Sequence, residues 1–151
     1  MDLDHPGAEI RVLEVTALTS PNVVYLGAVA IWPRDLRSGS LGTGPKFPPP
    51  RIRGHHAVDQ VIPAAETALV PKGWDEPAPV SIAFGFRLDG KEPGAVNGLR
   101  IVYEVDGERK VELYRIAIIA CAPPKGCRGA RQMDDPEFTD NVLRRYGLLP
   151  T

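Results

Sequence analysis

Three histidines are the residues of this chain whose side chains could transfer protons or bind a metal ion. His55 and His56 are adjacent, and His5 lies near the N-terminus. Neighbouring residues of a strand point to opposite faces of a sheet, so this pair can bind one ion only from an irregular loop. Because no third ligand has a fixed position, we expect solvated loop histidines and no metal site. A metal- or small-ligand-binding domain that uses these histidines is the alternative hypothesis.

Cys121 and Cys127 form a second pair of reactive side chains, separated by Ala-Pro-Pro-Lys-Gly. The two prolines and Gly126 can bring the ends of this short loop together, which favours a disulfide and an oxidising compartment. Two free thiols are the alternative. The spacing differs from that of zinc sites and of redox centres, so we expect neither.

Residues 34–54 are rich in glycine, proline and charge and show no hydrophobic period, which predicts a long loop. Within it, Phe47-Pro-Pro-Pro-Arg51 should be stiff and extended, a form that docks on partner proteins. The other possibility is a strap across the edge of the fold that places Phe47 in the core. The candidate binding residues are Phe47, Arg51, Arg53, His55 and His56.

The same loop nearly contains a phosphate-binding motif. It fails because Pro45 precedes Lys46 and because Phe47 stands where a serine or threonine would bind magnesium. No serine lies in a nucleophile-elbow context. We therefore predict no catalytic residue and no cofactor. A protein without enzymatic activity is the leading hypothesis, and an enzyme whose residues come together from separate loops is a third one.

The elements that must position these residues are mainly strands, and residues 99–105 show this most clearly. Apolar and polar residues alternate there, and Asp106-Gly107 follows as a turn-forming pair before a second strand. A two-residue turn sets charged residues opposite apolar ones. A three-residue loop over 105–107 pairs Ile101 with Val111 and Leu99 with Leu113. We predict the longer loop, because it keeps one face apolar.

Alternation and turn residues also predict strands over 9–18, 23–32 and 80–88. Residues 58–70 fit either a strand broken at Pro63 or a short helical piece. Pro136 and Gly147 bound a short C-terminal helix over about 136–146. Together these elements predict a single domain over residues 1–151 in the all-β class. It is an antiparallel β-sandwich, immunoglobulin-like in the broad sense, over 8–121, with a tail and short helix over 122–151.

The formal net charge of −1, with acids and bases interspersed, argues against nucleic acid as a partner. The longest apolar run, residues 116–122, is too short to span a bilayer, so we expect no membrane insertion. The N-terminal residues lack the charge and apolar stretch of a signal peptide, which predicts a cytoplasmic protein. If an upstream anchor or signal has been removed, the prediction is an extracytoplasmic one.

The order of features is similar to a loosely defined group of uncharacterised small domains of high-G+C Gram-positive bacteria. The matching residues cover about two-thirds of the chain: Phe47-Pro48-Pro49, Gly98, Tyr103, Asp106-Gly107, Cys121 and Cys127. Many such domains look like ectodomains behind one N-terminal transmembrane helix, a helix that this sequence lacks. The resemblance implies an extracytoplasmic domain and carries no activity.

These patterns predict a non-enzymatic β-sandwich that binds a protein or a cell-envelope component. Residues 34–54 and their neighbours are the expected binding surface.

Overall fold

Alternating apolar side chains build the long strands of this fold. A computed structural model describes residues 1–36, 46–48, 54–122, 126–127 and 136–148. Within these ranges, eight strands form two four-stranded, mostly antiparallel sheets packed together, and the predicted all-β sandwich is confirmed. The strands are β1 (Asp2–Leu3), β2 (Ile10–Thr19), β3 (Val23–Ile31), β4 (His56–Ala57), β5 (Val61–Ile62), β6 (Val80–Leu88), β7 (Gly94–Val105) and β8 (Glu108–Ala120).

The strand order is β1-β6-β3-β4 in one sheet and β5-β2-β7-β8 in the other. The strands predicted over 9–18, 23–32 and 80–88 are confirmed to within one residue at each end. β1, β4 and β5 have two residues each, too few to show a period of two in the sequence. The ambiguous segment 58–70 holds both alternatives, because β5 is followed, after Pro63, by the one-turn helix α1 (Ala64–Thr67).

The chain forms two compact units. Unit 1 consists of Met1–Val15, Gly27–Gly85 and Ile101–Glu112, and unit 2 of Thr16–Leu26, Phe86–Arg100 and Leu113–Thr151. The assignment of residues 1–151 to one domain stays a prediction. In the described ranges, no helix has both the length and the apolar character needed to cross a membrane.

The core of unit 1 is aliphatic and lies between the sheets. Ile82 of β6 faces Val12 of β2 and Ile101 of β7 in one cluster, and each of these side chains is almost fully buried. Tyr103 belongs to the same cluster, as its place in the alternation predicts. Phe84 is only half-buried, whereas Ala83 and Gly85 on the opposite face of β6 are buried.

The core of unit 2 forms around the C-terminal helix α2 (Pro136–Arg145), whose predicted bounds hold to within one residue. Val142 and Leu143 of this helix pack with Ala95 of β7 and Ile119 of β8. Gly147, with φ +65°, ends the helix in the left-handed conformation, and the Leu148 amide donates to the Leu143 carbonyl at 2.9 Å.

Cys121 and Cys127 are joined by a disulfide, with 5.0 Å between their Cα atoms. The sequence left this bond and two free thiols as alternatives, and the structure contains the bond. It closes a loop directly after the end of β8. Cys127 Sγ lies 3.9 Å from the Ile119 carbonyl oxygen, so Cys127 is located beside the last residues of that strand.

The predicted loop of the β7–β8 hairpin was wrong. The turn contains two residues, Asp106 and Gly107, with φ of +50° and +81°, whereas a three-residue loop needs positive φ only at the last position. The shorter turn shifts the pairing by one residue. Val111 and Leu113, predicted to face Ile101 and Leu99, are instead 53% and 67% exposed.

The register of the short turn is tolerated because β8 is the last strand in its sheet. Two residues between the strands set Tyr103 opposite Lys110 and Ile101 opposite Glu112. Lys110 and Glu112 are only half-buried, and long charged side chains at such positions can keep their charged ends near water. The Tyr103 hydroxyl also donates to Glu112 at 3.4 Å. The sheet edge therefore accepts charges that a central strand would exclude.

Candidate functional site

The three histidines lie in unit 1. One of them, His56, is in contact there with Trp32 and Asp35. His56 stands opposite Ala30 in the β3–β4 pairing, and Trp32 follows two residues later on the same face. The imidazole stacks on the indole with 4.0 Å between ring centroids. His56 Nε2 lies 3.1 Å from a carboxylate oxygen of Asp35, which the 3-10 turn Pro33–Asp35 positions. The stacking on Trp32 and the hydrogen bond with Asp35 together hold the imidazole in place.

Arg34 and Glu66 complete this group of side chains, which we call the histidine cluster (Trp32, Arg34, Asp35, His56 and Glu66). The Arg34 backbone amide and guanidinium both donate to the Glu66 carboxylate, with Nε 2.7 Å from Oε2. Glu66 is only 5% exposed, and the Arg34 guanidinium lies 5.6 Å from the Trp32 ring centroid. Burial alone would raise the pKa of Glu66, but the hydrogen bonds and charge of Arg34 lower it.

Two of the predicted binding residues, Phe47 and His56, contact different parts of unit 1. Phe47 is half-buried and packs on Gly85 of β6, where a Cβ atom would come within 2.4 Å of the Phe47 Cγ. The contact supports the part of the strap alternative that concerns Phe47, and residues 49–53 lie outside the described residues. His55 is exposed, as expected of a solvated histidine. For His56 that expectation was wrong, because the residue belongs to β4 and is half-buried in the histidine cluster. Arg51 and Arg53 lie outside the described residues.

His5 contacts Tyr103, and the structure does not place it in the histidine cluster. Its Nε2 is 3.3 Å from the Tyr103 hydroxyl, which in turn donates to Glu112. Burial, together with the charge of Glu112 and the bond to it, raises the pKa of Tyr103. Across the described ranges, His, Cys, Asp and Glu side chains form no group of three that could hold a metal ion. The metal-binding alternative stays a prediction.

Unit 2 contains a different kind of site, a shallow groove of about 420 Å³ on the β2, β7 and β8 strands. We call it the groove; the residues that line it include Thr16, Leu18, Asn97, Arg100, Leu113 and Arg115. Leu18 is 55% exposed and Leu113 is 67% exposed. The charged residues that line it in the described part of the chain are the two arginines. The groove thus combines aliphatic surface with positive charge.

The strands around the groove are fixed by buried polar contacts within unit 2. Ser20, at the end of β2, receives a hydrogen bond from the Ala95 amide at 2.9 Å, and its own amide donates to the Ala95 carbonyl at 2.8 Å. Asn97 Nδ2 donates to the Leu148 carbonyl beyond helix α2. Gly98 has φ +104°, a conformation that side-chain-bearing residues rarely adopt, and it forms part of the wall of the groove.

The sequence interpretation missed the groove because it placed Leu113 in the core opposite Leu99. The signal that could have revealed it is the Asp-Gly pair, whose preferred two-residue turn moves Leu113 and Arg115 to the outer face. No protein-family model, curated protein or solved structure matches this chain. The resemblance to Gram-positive domains therefore stays a prediction.

Proposed function

We propose that this protein is a non-enzymatic binding module that holds a protein partner in the groove of unit 2. The observation that carries the proposal is the exposure of Leu18 and Leu113 beside Arg100 and Arg115. Contiguous exposed apolar surface marks interaction sites more often than single exposed residues do. The arginines add electrostatic selection for acidic segments.

The histidine cluster supports a structural role rather than a catalytic one. An imidazole held by a carboxylate becomes a general base only when a nucleophile or substrate lies within hydrogen-bond reach of it. Among the described residues, no serine, threonine or cysteine side chain is hydrogen-bonded to His56. Its partners are Asp35 and the face of Trp32. The cluster links the segments around residues 32–35 and 54–57. Its two rings stack on each other, and its charged side chains pair with one another.

Quantitative capture from native lysate tests the proposed function with one variant and one matched control. Leu113→Lys puts a charge into the groove, and Val70→Lys makes the same change at a residue that is 47% exposed and does not line the groove. We expect the wild-type protein and V70K to recover the same proteins, and L113K to lose at least one of them. Equal recovery by all three would overturn the groove as the binding surface.

The disulfide supports a further part of the proposal, namely that the protein works in an oxidising, extracytoplasmic compartment. Disulfides persist in such compartments, whereas the cytosol keeps thiols reduced. Thiol alkylation in intact source cells, followed by a gel-shift assay, tests this. We expect Cys121 and Cys127 to resist alkylation until a reductant is added. Complete alkylation without reductant would contradict the assigned compartment.

A further inference from the structure

The groove borders an open strand edge, because β8 is the terminal strand of its sheet and, among the described residues, is hydrogen-bonded to β7 alone. The two-residue turn after Val105 fixes which backbone groups of β8 face β7. Even-numbered residues bond to β7, and odd-numbered residues point their N–H and C=O groups away from it. The contact between Cys127 Sγ and the Ile119 carbonyl oxygen agrees with this alternation.

Within the part of the chain that the structure describes, the open part of the edge in unit 2 covers residues 113–117. Leu113, Arg115 and Ala117 are exposed, and the contact of Cys127 with Ile119 ends the open stretch. Natural proteins protect long edges with proline, lysine or inward-pointing charges. This stretch has the sequence Leu-Tyr-Arg-Ile-Ala, whose single charge, Arg115, lines the groove. Such an edge is suited to pairing with another strand.

We infer that the partner binds by adding an extended, antiparallel strand to residues 113–117, with an acidic side chain beside Arg115 and an apolar one beside Leu113. This inference rests on the proposed function and deepens it. Main-chain hydrogen bonds supply affinity in this mode, and alternate side chains supply specificity. Arg115 lines the groove, and among the described residues the lining contains no carboxylate, which favours an acidic residue of the partner at that position.

The probe is the fluorescent peptide Ser-Thr-Val-Glu-Val-Leu-Thr-Ser, and binding is followed by fluorescence anisotropy. In the inferred pairing its glutamate lies opposite Arg115 and its leucine opposite Leu113. Both of these residues direct their amides toward β8, whereas the two valines direct theirs away. We expect N-methylation of the glutamate and leucine amides to weaken binding at least about tenfold. N-methylation of the two valine amides is the matched control and should leave binding within about twofold.

A charge exchange tests the side-chain contact. Arg115→Glu should weaken binding of the peptide about tenfold or more, and replacing the peptide glutamate by lysine should restore binding to this variant. Arg109→Glu makes the same change on β8 outside residues 113–117 and should have little effect. Failure of the lysine peptide to restore binding would contradict the inference.

Other outcomes separate the inference from the proposed function. Equal binding of both N-methylated peptides, or no binding of the parent peptide at about 1 mM, would overturn strand addition. The proposed function would still stand if L113K lost captured proteins while V70K retained them. Arg115-dependent binding to phosphatidylglycerol-phosphatidylcholine vesicles, with no binding of the peptide, would replace the protein strand by an anionic membrane surface.

Discussion

The histidine cluster of unit 1 and the groove of unit 2 differ in what their side chains contact. In the histidine cluster, the titratable groups pair with one another, as in His56 with Asp35 and Glu66 with Arg34. The groove is lined largely by common residue types, and two of its three leucines, Leu18 and Leu113, are more than half exposed. Residue type alone favoured a region whose reactive groups satisfy one another, and such groups are less available to a ligand.

This difference yields one expectation for all substitutions. Changes in contacts that are made within the fold should reduce stability, whereas changes in the groove should reduce binding and leave stability unchanged. The four substitutions below test that separation, and they are arranged by their expected effect on the free energy of unfolding.

Loss of the disulfide should have the largest effect. Replacing Cys121 and Cys127 by serine removes a cross-link between residues six positions apart, which restricts the unfolded chain. We expect the free energy of unfolding to fall by about 2–3 kcal/mol, measured by urea denaturation. The reduced wild-type protein is the control and should match the double variant. An unchanged midpoint in both would show that the loop contributes nothing to the stability of unit 2.

Gly85→Ala tests whether Phe47 is a structural residue rather than a binding residue. The added Cβ would overlap Phe47, and the resulting overpacking should cost about 1–3 kcal/mol. Phe47→Ala removes the overlapping ring. Gly85→Ala should therefore lower the free energy of unfolding less in the Phe47→Ala background than in the wild-type protein. Additive effects in this double-mutant cycle would contradict the contact. Phe47→Ala should also leave peptide binding unchanged.

Glu66→Gln tests the internal pairing of the histidine cluster and should cost about 1–2 kcal/mol at pH 7, because charge-assisted bonds from Arg34 are lost. The pKa of Glu66 is lower in the fold than its ordinary value of 4.5. Its stabilising effect is therefore complete above about pH 4.5 and declines as the pH falls through the folded-state pKa. Urea denaturation at pH 7 and pH 3 should show the gap between wild type and variant narrowing. A gap that widens toward pH 3 would contradict the assigned pairing.

Leu113→Lys should have the smallest effect on stability, within about 0.5 kcal/mol of wild type, because the side chain is already 67% exposed. The same variant should lose peptide binding. Thermal melting and anisotropy on one preparation check both statements. A large loss of stability would mean that Leu113 packs in the fold and does not serve a partner.

The sequence predicted the elements that carry a strong periodic or boundary signal. The strand at 80–88 follows from alternation, and helix α2 follows from Pro136 and Gly147. The hairpin turn was mispredicted because the sequence does not show that β8 lies at a sheet edge, where Glu112 is only half-buried. The groove was missed for the same reason, since Leu113 was assigned to the wrong face.

An NMR titration of the isotopically labelled protein with the unmodified peptide compares the two regions most directly. Amide signals from Leu18, Leu113 and Arg115 should shift in proportion to the bound fraction, while those of Trp32 and His56 stay in place. Shifts confined to the histidine cluster, with the groove signals unchanged, would contradict the claim that the groove holds the partner.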